Sequence, residues 1–192
     1  SIDSSQLGTA FLGKLNTAYT LKIITEGKEY NAATTIPHIT KQVDSFWTKP
    51  VPGNQDTTKA VVMVRVTDPP GFGDYIRYFT STNNGPFFPG ERSVFDDFFI
   101  DGTTYELQVD PGFDRNGIIP EQEFFNRGDT VVFKLSNIDK NTFDFWRTWE
   151  YSIQSIGNPF STPVKVTGNI NNGALGYFGG YASQYHTLII PQ

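Results

Sequence analysis

The 192-residue chain contains no cysteine, so disulfide bonds, thiolate metal sites and a cysteine nucleophile are excluded. No apolar run has the length that a membrane-spanning helix needs. Basic residues are also scarce, with 15 Lys and Arg against 20 Asp and Glu, and they form no visible basic face. Because phosphate binding needs such a face, nucleic acid is not an expected partner. An extracellular location stays open, since a chain of this length builds a core without disulfides.

Motifs for catalysis are missing as well. The two histidines, His38 and His186, are far apart in the sequence. There is no Gly-x-Ser-x-Gly elbow, phosphate loop, dinucleotide fingerprint or His-Glu-x-x-His motif. Asp96 and Asp97 are adjacent, so on a strand they point to opposite faces and cannot act as the paired carboxylates of a glycosidase. A binding role is therefore favoured, with a glycan- or peptide-acting hydrolase and a purely structural β module as the alternatives.

Aromatic residues and turn formers are abundant, which is typical of a β-rich fold: 17 Phe and 9 Tyr stand beside 18 Gly and 12 Pro. Alternation predicts a hairpin of Tyr19–Thr25 and Glu29–Ile36. The strongest predicted strand is Lys59–Thr67, with the valines at 62, 64 and 66 on one face and Arg65 and Thr67 on the other.

Further strands follow along the chain. Tyr75–Thr82 is predicted to pair with the valine strand, and Ser93–Ile100 with Thr103–Val109 around an Asp-Gly turn. Thr130–Ser136 alternates, with Val131, Phe133 and Leu135 inward, and Gln184–Ile190 closes the fold. We expect an all-β (β-rich) antiparallel β-sandwich with one amphipathic helix packed on it.

That helix is predicted near residues 139–156. Asp139 is the expected N-cap, with Ser136 as the alternative, and Gly157 and Pro159 end the helix. We expect Phe143 and Trp146 to be buried against the sheet and Asp144 and Arg147 to face solvent. The apolar stripe consists of Phe143, Trp146, Trp149, Ile153 and Ile156. The glycine-rich segment 173–180 that follows is interpreted as close backbone packing against the helix, with a ligand surface as the alternative.

One loop has the spacing of a calcium-binding loop. Asp114, Asn116 and Glu123 match the third, fifth and twelfth positions of an EF-hand loop, and Asp110 lies just before them. The first position is a glycine and no helices flank the loop. The simpler interpretation is a connection between strands, and the alternative is a weak calcium site; no other metal or cofactor is expected.

Several segments together resemble a known family. They include Gly128–Ser136, the helix Ile138–Trp149 and the run Asn169–Tyr181, as well as Tyr30–Pro37 and Val43–Ser45. In order and over nearly the whole chain, they are similar to domain of unknown function family 4249.

The resemblance implies a Bacteroidetes lipoprotein, held in the outer membrane by a lipidated N-terminal cysteine and encoded near TonB-dependent transporters. It also implies an immunoglobulin-like domain before the conserved β domain. We therefore expect residues 1–40 to be the C-terminal part of a truncated immunoglobulin-like β domain, and residues 41–192 to be the β-sandwich. We expect contact with the membrane only through a lipid anchor that is absent from this chain.

The expected function is that of a non-enzymatic accessory surface lipoprotein. Its expected partner is a TonB-dependent outer-membrane transporter or another surface protein, and a glycan or peptide is a further candidate ligand. The expected location is the outer membrane, on its periplasmic or cell-surface face. The family brings no catalytic residues that could be transferred to this chain.

Overall fold

The computed structural model describes residues 13–53, 56–114, 124–156, 162 and 164–192. No helix in these ranges is both long and apolar enough to cross a membrane. The described elements are antiparallel strands and a helix. In chain order they are β1 (Thr17–Thr25), β2 (Lys28–Ile36), β3 (Gln42–Lys49), β4 (Lys59–Thr67), β5 (Tyr75–Thr82), β6 (Phe88–Phe95), β7 (Thr104–Val109), β8 (Phe125–Asn126), β9 (Thr130–Ile138), α1 (Lys140–Gln154) and β10 (Tyr181–Ile189).

Two sheets enclose the hydrophobic core. One has the order β10-β9-β5-β6 and the other β3-β4-β7, with β8 also paired to β4. The valines 62, 64 and 66 of β4 are 0% exposed and belong to the same core cluster as Val131, Phe133 and Leu135 of β9. The predicted all-β sandwich is confirmed, and so are the inward faces of both strands.

Helix α1 lies on the outer face of the four-stranded sheet and packs on β5 and β6. Asp139 is its N-cap, because its Oδ1 accepts a hydrogen bond from Thr142 N at 2.8 Å. Phe143 is buried and Arg147 is exposed, as predicted. Trp146 and Asp144 are both half-buried, so neither the predicted burial of Trp146 nor the predicted exposure of Asp144 is confirmed.

The predicted apolar stripe is wrong in the last part of α1. Ile153 and Ile156 are exposed, whereas Glu150 is buried on the side of the helix that faces the sheet. The reason is that Glu150 accepts hydrogen bonds from Ser93 of β6, which a purely hydrophobic pattern cannot indicate. Gly157 and Pro159 lie outside the described residues.

The predicted pairing of β5 with β4 is also wrong. β4 pairs with β3 and β7, and β5 pairs with β6 and β9 in the other sheet. Between them, Pro69 and Pro70 lack the backbone N–H groups that a hairpin ladder would use. The chain therefore crosses from one sheet to the other at this point.

The hairpin predicted for Ser93–Ile100 and Thr103–Val109 is not formed. β6 ends at Phe95, and β6 and β7 belong to different sheets. The Asp101-Gly102 turn exists, with Thr103 N donating to Ile100 O at 3.0 Å, but it ends a crossover between the sheets. The prediction of the Asp-Gly turn was therefore correct, and the predicted pairing of the strands on either side of it was wrong.

The predicted N-terminal hairpin is confirmed, with β1 and β2 paired from Thr17 with Ile36 to Thr25 with Lys28. The N-cap residue of α1 also contacts it: Asp139 Oδ2 accepts from Thr34 Oγ1 at 2.7 Å and from Thr35 N at 3.0 Å. One carboxylate thus joins the hairpin to the start of the helix.

The glycine-rich segment adds further contacts to both elements. A Cβ on Gly179 would lie 2.5 Å from Thr142 Oγ1 of α1, and one on Gly180 would lie 2.7 Å from the Ile36 side chain of β2. The close backbone packing predicted for segment 173–180 is confirmed at these two glycines, whereas a Cβ on Gly173 or Gly176 would have no neighbour within 4 Å. Asn171 and Asn172 bond the backbone of β2 as well. The domain boundary placed at residue 40 stays a prediction.

Candidate functional site

The residues predicted to bind calcium are only partly within the described chain. Asn116 and Glu123 lie outside it. The Asp110 carboxylate accepts hydrogen bonds from the Tyr78 hydroxyl at 3.1 Å and from Gly112 N at 2.9 Å. Asp110 therefore has a structural role between β5 and its own loop. The calcium site of Asp110, Asp114, Asn116 and Glu123 stays a prediction.

The histidines and the Asp96-Asp97 pair lie in separate surroundings. His38 is exposed, and His186 is half-buried on β10, where burial lowers its pKa. Asp96 and Asp97 follow the end of β6, so they lie in a loop and not, as predicted, on a strand. Asp97 is buried and Asp96 half-buried.

The most exposed aromatic side chains lie on two neighbouring loops, residues 69–74 after β4 and residues 96–103 between β6 and β7. We call these segments the Phe loops. Phe72 is 74% exposed, Phe98 68% and Phe99 91%. The rings of Phe98 and Phe99 meet edge to face, with centroids 4.8 Å apart. Large aromatic groups exposed together are typical of a binding surface and not of an ordinary surface.

Two shallow clefts run between these loops and the rest of the fold. The first has a volume of about 410 Å³, and the second, which reaches helix α1, has about 330 Å³. Asp96 lines both clefts. Most of the other lining is apolar or aromatic, including Phe72, Tyr75 and Phe98 in the first cleft and Phe99, Ile100, Leu107 and Phe143, with Arg147, in the second.

Backbone amides of the first Phe loop bond carboxylates of the second. Asp97 Oδ2 accepts from Gly73 N at 2.7 Å and from Asp74 N at 2.9 Å, and Asp101 Oδ1 accepts from Gly71 N at 2.6 Å. Gly71 and Gly73 have φ values of +126° and +118°, which side chains other than glycine rarely adopt. The two loops are therefore held together by hydrogen bonds that depend on this glycine geometry.

A buried ion pair lies next to the Phe loops. Lys41 Nζ is 3.1 Å from Asp68 Oδ1, and both side chains are 0% exposed. Burial raises the pKa of Asp68 against the opposing influence of Lys41, and Asp74 and Asp97 raise it further. Burial, with a smaller contribution from Asp68, also raises the pKa of Tyr105. Asp68, Asp74 and Asp97 thus lie close enough beside the Phe loops for the latter two carboxylates to affect the pKa of the first.

The sequence contains a signal for this exposed aromatic surface, although it is not a periodic one. Phe72 stands in a Pro-Pro-Gly-Phe-Gly turn, and Phe98 and Phe99 follow two aspartates. Aromatic residues in such polar, turn-forming surroundings have no strand or helix periodicity that would direct them to a core. A ring without a place in a periodic pattern is a candidate for a binding surface.

Comparison with known proteins gives one match. A family described as "Domain of unknown function (DUF4249)" matches residues 3–187, almost the entire chain. No curated protein and no solved structure matches.

Proposed function

Since the chain belongs to the DUF4249 family, we propose that it is the binding part of an accessory lipoprotein of the Bacteroidetes outer membrane. In this proposal the protein is non-enzymatic, and its partner is a TonB-dependent transporter. The lipid anchor would hold it at the membrane, and the Phe loops would contact the transporter.

The observation that carries the proposal is the exposure of Phe72, Phe98 and Phe99 on adjacent loops. A buried aromatic side chain covers roughly 150–250 Å². Three such rings therefore supply an apolar contact on the order of 400 Å², about half of one partner's share of a standard interface. Aromatic anchors surrounded by polar groups are also the usual source of binding energy at protein interfaces.

The polar groups around the rings fit the rim of such an interface. Arg147 is exposed at the edge of the second cleft, and Asp96 lies between the two clefts. Charged groups at a rim affect the rate and specificity of association more than the affinity. We therefore expect the three phenylalanines to determine affinity.

The experiment is capture of the TonB-dependent transporter encoded beside this protein, from detergent-solubilised native outer membranes. The wild type should retain the transporter. A Phe72→Ser, Phe98→Ser, Phe99→Ser variant should lose it by at least tenfold, because the side chains are exposed and their removal leaves the core intact.

The matched control removes three exposed apolar side chains from segments other than the Phe loops: Ile156→Ser, Leu175→Ser and Ile189→Ser. This control should capture the transporter as the wild type does. Equal capture by both variants would contradict the proposal. Turnover of a glycan or peptide panel by the wild type would replace it with the hydrolase function.

A further inference from the structure

Three acidic side chains converge between the Phe loops and the end of β4. One carboxylate oxygen from each of Asp68, Asp97 and Asp101 lies within 4.8 Å of the corresponding oxygens of the other two. Two oxygens in one Ca²⁺ coordination sphere are separated by at most about twice the Ca–O distance, or roughly 5 Å. The spacing is therefore compatible with one shared cation.

Acidic residues also cluster without a bound ion, so a cation site needs evidence beyond their spacing. The burial and hydrogen bonding of Asp68 supply that evidence. Its side chain is 0% exposed, and its Oδ2 accepts no hydrogen bond from the described residues. Lys41 Nζ contacts the other oxygen, Oδ1, at 3.1 Å. A buried carboxylate oxygen without a partner is rare in native proteins, because its lost hydration is not replaced.

The neighbouring groups have the same deficit. Asp97 and Asp101 each bond the loop amides through one oxygen, and the other oxygen receives no hydrogen bond within the described residues. The buried Tyr105 hydroxyl also lacks a hydrogen-bond partner there. The loop amides therefore fix the position of the acids and leave one side of each carboxylate available.

The net negative charge of the acidic cluster also favours a bound cation. Asp68, Asp97 and Asp101 bring three negative charges, and Asp74 adds to the negative potential at Asp68. Lys41 supplies one positive charge. A divalent cation would bring the group to within one charge of neutrality. Carboxylates that repel each other at this spacing are stabilised by such an ion.

We propose that Asp68, Asp97 and Asp101 bind a calcium ion that joins the two Phe loops. All three ligands are hard oxygen donors, which favours Ca²⁺ or Mg²⁺ over transition metals. Ca²⁺ is preferred because Mg²⁺ keeps most of its water, and the buried Asp68 leaves little room for a hydrated ion. This site is independent of the proposed function and differs from the loop that contains Asp110 and Asp114.

The test is a calcium titration of the EDTA-treated 192-residue chain, followed by isothermal titration calorimetry and thermal melting. For a Kd of about 0.1–1 mM, 10 mM Ca²⁺ should raise the Tm by roughly 3–10 °C. Mg²⁺ at the same concentration should produce a smaller rise. An unchanged Tm together with no binding heat from either ion would overturn the proposal.

Variants locate the site. Asp101→Asn keeps an acceptor for Gly71 N and is half-buried, so it should fold and weaken calcium binding at least tenfold. Asp96→Asn is the control, because it removes an equal charge from the same loop, at the position before the ligand Asp97. It should change the Kd by less than about twofold. Wild-type affinity in Asp101→Asn would overturn the proposal. Loss of binding only in an Asp114→Ala, Glu123→Ala variant would also overturn it.

Discussion

Two of the charged clusters that are buried in the described part of this fold differ in how completely their polar atoms are paired. In the first, on the outer face of β5, Arg77 donates to Ser93 Oγ at 3.1 Å and to the Tyr181 hydroxyl at 3.3 Å. Its guanidinium lies 3.4 Å from the centre of the Trp146 ring. Ser93 in turn donates from its N–H and its hydroxyl to the two oxygens of Glu150.

The second cluster lies beside the Phe loops and contains Lys41 and Asp68. There Asp68 Oδ2 accepts no hydrogen bond from the described residues, and the ion pair of Lys41 Nζ with Asp68 Oδ1, at 3.1 Å, is the contact that joins the two side chains. Both clusters hold one cation and at least one carboxylate in a buried place. The fully paired network of Arg77, Ser93 and Glu150 joins helix α1 to its sheet. The incompletely paired cluster of Lys41 and Asp68 indicates where a further ligand would fit.

Breaking the completed cluster should give the largest loss of stability. Glu150→Ala leaves the buried N–H and hydroxyl of Ser93 without their acceptor. Each unsatisfied buried donor costs about 1–3 kcal/mol, so the two together should cost about 3–5 kcal/mol of unfolding free energy. Glu91→Ala, on the adjacent strand β6, is the control, and because Glu91 is exposed it should cost less than about 0.5 kcal/mol. Denaturant unfolding measures both. The Glu150→Ala loss should be the same with EDTA and with calcium; a loss that calcium reverses would contradict the comparison.

The next largest loss of stability is expected for Trp146, the aromatic residue of the same cluster. Trp146 is half-buried, stacks on Arg77, and its Nε1 donates to the Tyr181 hydroxyl at 3.0 Å. Trp146→Ala should destabilise by about 3 kcal/mol, the lower end for loss of a large aromatic side chain, since the residue is not fully buried. Tyr151→Ala on the exposed side of α1 is the control. Equal denaturation midpoints for the two variants would show that the Trp146 ring contributes no more to stability than an exposed one.

A substitution in the incompletely paired cluster of Lys41 and Asp68 should cause a loss of stability that depends on calcium. Lys41→Met removes the counterion of Asp68, which should cost roughly 2–3 kcal/mol in EDTA. Because the site then has one less positive charge, calcium should bind more tightly and recover part of this loss. Melting in EDTA and in 10 mM calcium measures the difference. A loss that is independent of calcium would mean that the two clusters do not differ as proposed.

The sequence was sufficient for most of the fold, because strand periodicity is a local property. The valines of β4 and the alternation of β9 identified both sides of the core, and the Asp139 N-cap marked the start of the helix. Strand partners were not predictable in the same way. The sequence of a proline-containing loop does not show whether the next strand joins the same sheet or the other one. That choice depends on contacts with the rest of the chain.

The candidate site was less predictable for a related reason. Asp68, Asp97 and Asp101 come from two separate loops, and the sequence has no spacing that brings them together. Glu150 was hidden likewise, since its partner Ser93 lies 57 positions away in the chain. The calcium pattern of residues 110–123 could be predicted, because it lies within one short segment and spacing along the chain reveals such a motif.

The smallest expected effect concerns that linear pattern. The Asp110 carboxylate already accepts hydrogen bonds from Tyr78, Glu91 and Gly112, so at most part of it remains for a cation. The first position of the pattern also lacks a carboxylate, which lowers the charge available to an ion. Any binding there should be weaker than at the Phe-loop site, with a Kd of roughly 1 mM or above.

An Asp114→Ala, Glu123→Ala variant tests this loop against the Phe-loop site. It should keep most of the calcium-dependent rise in Tm, whereas Asp101→Asn should lose it, because only the latter removes a ligand from the cluster with an unpaired buried oxygen. Melting of both variants with EDTA and with 10 mM calcium gives the two differences directly. If the double variant loses the larger part of the rise, the loop binds calcium and the consecutive pattern was the better guide. If it melts as the wild type does at every calcium concentration, the loop is a connection between strands.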